Sequence, residues 1–261
     1  MNKGMKLFLV VLLGLALAIG VVGCGGAKKE EAKTTFDKIK EEGKLVVGCS
    51  ADYKPFEYPN EDGKIVGFDV EFMKAVGEEL GLEVEFTDTA FDGLIPSLKS
   101  KKFDVIASAM TITDKRAKTV DFSQPYFNAG QVIAVKEGSN DVKKPEDLAG
   151  KVVGVQLGTT GDLKASEIED IKKVKRYQKI TQAFIELRNE RIDAVVNDLP
   201  VTAAYIMDNP DVKIIGKPFT EENYGIAMRK GDDELEKKIN KTIKKLKENG
   251  TYDELYNKWF K

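Results

Sequence analysis

Two spacings of apolar residues run through this chain. From Asp233 to Gly250, the stretch DELEKKINKTIKKLKENG sets Leu235, Ile239, Ile243 and Leu246 on one stripe at helical spacing. Charged residues fill the other faces. That pattern predicts an amphipathic helix ended by Gly250. The stretch from Ile65 to Phe86 predicts a helix from about Asp69 to Leu80, with Gly81 just past its end and a strand after it. TYDELYNKWF predicts a last short helix with Trp259 in the core rather than in a site. Short apolar runs behind turn residues, GKLVVG from Gly43 and GKVVGV from Gly150, predict buried strands.

Parts of the pattern occur twice. LKSKKFDVI runs from Leu98 to Ile106 and LRNERIDAV from Leu187 to Val195. Each is a helix end, a short basic turn, an aspartate and an apolar run of strand character. With the GKLVVG and GKVVGV pair, two echoes in the same order predict two similar α/β lobes. Five residues past Asp104 is Ala109, and five past Asp193 is Asp198. Both should lie beyond the carboxyl ends of equivalent strands, where open α/β sheets bind ligands. If the lobes face each other, SAMTITDKR and VVNDLP address one ligand from opposite walls.

Arg116 sharpens this reading. Thr113 is a good N-cap and Asp114 suits a first turn, so a short helix starts there. Arg116 falls in that same turn, where the helix dipole disfavours a cation by up to about 1 kcal/mol. Either the guanidinium is solvated and the cost is tolerated, or it holds an anion with the helix N–H groups. Set against Asp198 on the other wall, the second alternative suits an α-amino acid zwitterion.

The chain has 261 residues, 42% of them hydrophobic, enough for one large or two modest domains. The net charge is −2, and the basic run Lys172 to Arg176 reads as a solvated face, so no nucleic acid partner is expected. The chain has no histidine and two cysteines, which makes a zinc site or a histidine-based triad a poor fit. No phosphate-binding GxxxxGK[ST] loop occurs. No cofactor and no metal are expected. Lys3 and Lys6 precede an apolar run from Leu7 to Val22 that is short for a membrane span and fits a signal segment. It ends in VVGC at Cys24, and GGAKKEEAKTT follows as a flexible tether.

VVGC resembles a bacterial lipobox, which implies cleavage before Cys24 and lipid on its thiol. The longer stretches YKPFEY (Tyr53 to Tyr58), GKIVGFDVEF (Gly63 to Phe72) and FDGLIPSLKSKKFDVIASAMTITDKRAKTVDFSQPYF (Phe91 to Phe127) resemble the extracellular amino-acid-binding proteins of ABC importers, polar-amino-acid group. So do GKVVGVQLGTTGD (Gly150 to Asp162), RIDAVVNDLP (Arg191 to Pro200) and NGTYDELYNKWF (Asn249 to Phe260). The resemblance implies an α/β fold of the two-lobed periplasmic-binding-protein type, with two hinge strands and a cleft between closing lobes. It implies a signal peptide at 1–23, a tether at 24–35, lobe 1 at 36–127 and 225–261, and lobe 2 at 131–220. The crossings would fall near Tyr126 to Gly130 and near Thr220 to Tyr224.

By the same resemblance, Arg116 takes the ligand carboxylate with the backbone N–H groups of Thr111 and Thr160. Asp198 takes the ammonium with the Thr111 hydroxyl and the Ala109 carbonyl. Tyr53 and Phe91 sandwich the side chain, and Gln156 and Asn197 line lobe 2 near it. Ser50, Asp52, Met110 and Thr159 complete the ligand set. Ser50 stands where many relatives carry aspartate, with Asp52 nearby, and Gln156 where some carry lysine. The implied ligand is a free polar L-amino acid of the arginine/lysine or glutamine type. The implied partners are an ABC permease and, through Cys24, the lipid membrane, with the protein a monomer outside the cytoplasm. Two other classes stay open: an enzyme on the same scaffold, such as a dehydratase using Glu57, Asp52 or Asp92 as acid or base, and an extracellular sensor domain.

Overall fold

The computed structural model describes residues 33–261, so the expected signal peptide, Cys24 and most of the expected tether lie outside the described residues. Thr34 and Thr35 belong to the first helix, Thr35–Glu42, because Thr34 and Asp37 form a reciprocal capping box.

Two five-stranded sheets follow. The first orders its strands Glu83–Asp88, Lys44–Cys49, Val105–Ile106, Ala227–Arg229 and Val120–Phe122. The second orders them Lys173–Tyr177, Val152–Gln156, Ala194–Asp198, Gln131–Lys136 and Val212–Ile215. In each, three parallel strands are followed by an antiparallel one. The antiparallel strands Ala227–Arg229 and Gln131–Lys136 come just after the two crossings between the sheets. The crossings run side by side as a two-stranded ribbon, Phe127–Ala129 against Glu222–Tyr224. They pass so closely that a Cβ at Gly130 would lie 2.3 Å from the Thr220 carbonyl oxygen. Only glycine leaves room there.

The internal echo has a structural cause. Asp104 accepts the Val46 N–H at 3.0 Å, and Asp193 accepts the Val152 N–H at 2.6 Å. In both lobes the aspartate before the third strand holds the start of the first. The turns before them carry Lys101 and Glu190 in the left-handed region, at φ 61° and 58°.

The helices bury the faces that the periodicity marks. Leu235, Ile239, Ile243 and Leu246 are buried on the helix Asp233–Glu248, each stabilising by roughly 1.5–3 kcal/mol. The helix Phe68–Leu80 ends at Gly81 in the left-handed conformation, φ 67°. The last helix, Thr251–Phe260, packs Tyr252, Tyr256 and Phe260 on an aromatic cluster of Phe56, Phe68, Phe127 and Tyr224 beside the ribbon. Trp259 is half-buried against this core, its indole N–H donating to Glu71 at 3.0 Å. Cys49 is buried as a free thiol.

Candidate functional site

The carboxyl ends of the two sheets face each other across the ribbon. Eight of the residues named from sequence line one small cavity there: Tyr53, Phe91, Ala109, Thr111, Arg116, Thr159, Thr160 and Asp198. Its volume is about 10 Å³, roughly one water-sized sphere. A larger ligand can reach these walls only if the lobes part.

Local structure aims each side chain. After Val105–Ile106, Ala109 and Thr111 line the cavity, while Met110 is buried among Leu94, Leu98 and Phe103 in the first lobe's core. Met110, expected in the ligand set, is not among the residues that line this cavity. Ala109 sits at φ 45°, a costly conformation for a residue with a Cβ. Asp69 holds it there, accepting the Ala109 N–H at 2.8 Å and the Tyr126 hydroxyl at 2.7 Å. Thr113 caps the helix Asp114–Ala117 by accepting the Arg116 N–H at 3.2 Å. In the second lobe Thr159 caps the helix Thr160–Glu167, and Asp198 ends the strand Ala194–Asp198.

Arg116 is not solvated: it is 8% exposed. Its Nη1 donates to the Thr111 carbonyl at 2.7 Å and its Nη2 to Gly158 of the other lobe at 3.1 Å. The guanidinium also lies 5.2 Å from the Phe91 ring centre. Burial lowers its pKa, against the attraction of Asp198 and Glu222. Asp198 is buried and accepts from Tyr224 and from Gln131. Burial, with repulsion from Glu222, lifts its pKa to about 7, although the Tyr224 and Gln131 hydrogen bonds pull the other way. The cavity thus pairs one cation with an easily protonated acid, each from a different lobe.

Four expected residues form a layer beside this cavity rather than its wall. Tyr53 donates its hydroxyl to Asn197 at 2.8 Å. Asp52 accepts the Ile180 N–H at 2.7 Å, the Gln156 amide at 3.3 Å and the Ser50 hydroxyl at 3.3 Å. A carboxylate from one lobe therefore sits on the first N–H of the helix Ile180–Arg188 in the other. Burial lifts its pKa to about 6. Lys54 and Asp208 pair across the rim at 2.8 Å.

Three residues of the site carried no signal of their own in the sequence. Gln131, Glu222 and Tyr224 lie on or next to the ribbon. Gln131 donates to Asp198 and, at 3.1 Å, to the Thr160 hydroxyl. Glu222 accepts the Thr111 and Thr160 hydroxyls, each at 2.7 Å. A glutamine opening the otherwise apolar run QVIAV, and an acid inside a crossing, were the available hints. Among the described residues no helix is long and apolar enough to cross a membrane, and no group of three His, Cys, Asp or Glu side chains could hold a metal ion.

The model of the bacterial extracellular solute-binding proteins, family 3, matches residues 45–261. The ABC transporter glutamine-binding protein GlnH of Bacillus subtilis is 37% identical over 98% of this chain and 97% of its own length. A solved mutant of ArgBP from T. maritima is 51% identical with a TM-score of 0.83, covering 86% of this chain and 98% of that one. An ancestral amino acid-binding protein, a precursor of cyclohexadienyl dehydratase, is 45% identical with a TM-score of 0.83, over 87% of this chain and all of the other.

Proposed function

This chain belongs to the bacterial extracellular solute-binding proteins, family 3, and from that premise we propose that it binds a free polar L-amino acid between its lobes and delivers it to the permease of an ABC importer. One observation carries the reading: Arg116 and Asp198 come from opposite lobes and converge on one enclosed cavity. An α-carboxylate answers the guanidinium as a charge-assisted pair. An α-ammonium answers Asp198, the Ala109 carbonyl and the Thr111 hydroxyl. The thirteen residues from Ser50 to Asp198 named from the sequence, less Met110, form this site and its adjoining layer. Lobe 1 spans 36–127 and 225–261, lobe 2 spans 131–220, and the ribbon between them is the hinge.

The ligand class is arginine/lysine or glutamine. Asp52, Asp198 and Glu222 outnumber Arg116 around the cleft, which favours a basic side chain. The relatives named for glutamine and the ArgBP similarity bracket the same range. The mature protein works outside the cytoplasm as a monomer on a lipid attached at Cys24.

The enzyme alternative has a named relative in the dehydratase precursor, but its acids are poorly placed. Glu57 is buried and accepts the Ser108 hydroxyl at 2.7 Å, Asp52 is held by Ile180, and Asp92 is exposed. None lines the cavity. A thermal-shift screen of residues 33–261 against the twenty amino acids tests the proposal. A basic or amide-bearing amino acid should raise the melting temperature most, with glutamate and aspartate inert. No shift with any of them would reject it.

A further inference from the structure

An α-amino acid has one carboxylate, which Arg116 meets, and one ammonium, which Asp198 meets. Glu222 is left over, buried at 5% exposure in the strand that crosses between the lobes. Its Oε2 accepts from the Thr111 hydroxyl of one lobe and the Thr160 hydroxyl of the other, both at 2.7 Å. Its Oε1 accepts from Thr220 at 3.1 Å.

A threonine hydroxyl has a single proton and two lone pairs. With both protons on Glu222, the 3.4 Å approach of the two threonine oxygens holds no proton of its own. The Thr160 oxygen already accepts from Gln131 at 3.1 Å. What Thr111 has left to turn to the cavity is a lone pair. Asp198 lines the same cavity, and its ionised carboxylate also only accepts. This corner of the cavity is built for a group that donates in several directions and accepts in none. An ammonium is such a group, and a hydroxyl, with one proton and lone pairs of its own, is not.

We propose that Glu222 is a positioning residue that, by taking the Thr111 and Thr160 hydroxyl protons, makes Thr111 an obligatory acceptor and so selects an α-amino acid over the matching α-hydroxy acid. It rests on the amino-acid reading of the cavity. Removing the acid frees the Thr111 proton to turn inward, where it would accommodate a ligand hydroxyl. The amide of glutamine can place its oxygen on both threonines and its nitrogen on Thr220, so it should preserve the arrangement.

The test is calorimetric titration with L-arginine and with its α-hydroxy analogue, 2-hydroxy-5-guanidinopentanoic acid. The quantity read is the ratio of the two dissociation constants. Glu222→Ala and the near-isosteric Glu222→Met should lower that preference at least about tenfold, the size of one hydrogen bond to a charged group. Glu222→Gln should keep it. If the Ala and Met variants fail to fold by circular dichroism, Thr111→Val supplies the same ratio. It should weaken arginine more than the hydroxy acid. Equal weakening of both ligands, or an unchanged ratio, would overturn the role of Glu222. Failure of the wild type to bind any amino acid would overturn the functional reading instead.

Discussion

Acidification should weaken ligand binding through Asp198. Burial and Glu222 lift the pKa of its carboxyl to about 7 in the closed cavity. An ammonium arriving beside it favours the charged form and pulls that pKa down. The sign follows: above pH 7 the carboxylate is ready, and below it a proton must leave before the ammonium can pair. Each pH unit below the free-state pKa costs about 1.4 kcal/mol. From pH 8 to pH 5 that is at most roughly 2.7 kcal/mol, or about a hundredfold in affinity. The ligand ammonium stays charged over this range. Arg116 and the Tyr53 and Tyr224 hydroxyls, which also face Asp198, do not change charge there. Asp52, near 6, lies one layer away and can add a smaller dependence. Calorimetric titration at pH 5, 6, 7 and 8, in two buffers of different ionisation heat, reads both affinity and proton release. About one proton should leave at pH 5 to 6 and almost none at pH 8. Asp198→Asn should bind weakly at pH 8 and lose most of the slope. An affinity equal at pH 5 and pH 8, or an undiminished slope in Asp198→Asn, would refute the reasoning.

Arg116→Ala should cost about 2–5 kcal/mol of affinity, as removal of one member of a buried charge pair does. Arg116→Lys should not restore it, because an ammonium cannot reproduce the two-pronged geometry. The ligand-free melting temperature should shift by no more than about 4 °C, since the freed Thr111 and Gly158 carbonyls regain water once the lobes part; a larger loss in differential scanning calorimetry would give Arg116 a structural role. Cys24→Ser should move the protein from the membrane fraction to the soluble one, and retention after a high-salt wash would rule out a lipid anchor there.

Elements with a strong period were legible. The stripe from Leu235 to Leu246 marks its helix because burial of one face repeats every turn. Asp104 and Asp193 betray the repeat because each holds a backbone N–H at the start of a neighbouring strand, a task few side chains can do. Arg116 and Asp198 stood out as opposite charges in the segments that follow the two echoes. Met110 was named with its neighbours Ala109 and Thr111, which line the cavity, while its own side chain packs in the first lobe's core. Glu222, Gln131 and Tyr224 were missed because the ribbon has no period and their partners are distant in sequence. The contact of Asp52 with Ile180 was hidden for the same reason: it joins one lobe to the first turn of a helix in the other.

A crystal structure of residues 33–261 grown with L-arginine addresses the pairing of Arg116 with Asp198 most directly. The α-carboxylate should lie in a two-pronged pair with the Arg116 guanidinium, displacing the Thr111 and Gly158 carbonyls from it. The α-ammonium should sit within 2.7–3.2 Å of Asp198, the Ala109 carbonyl and the Thr111 hydroxyl. Arginine bound elsewhere, or turned so that its α-carboxylate avoids Arg116, would contradict the account.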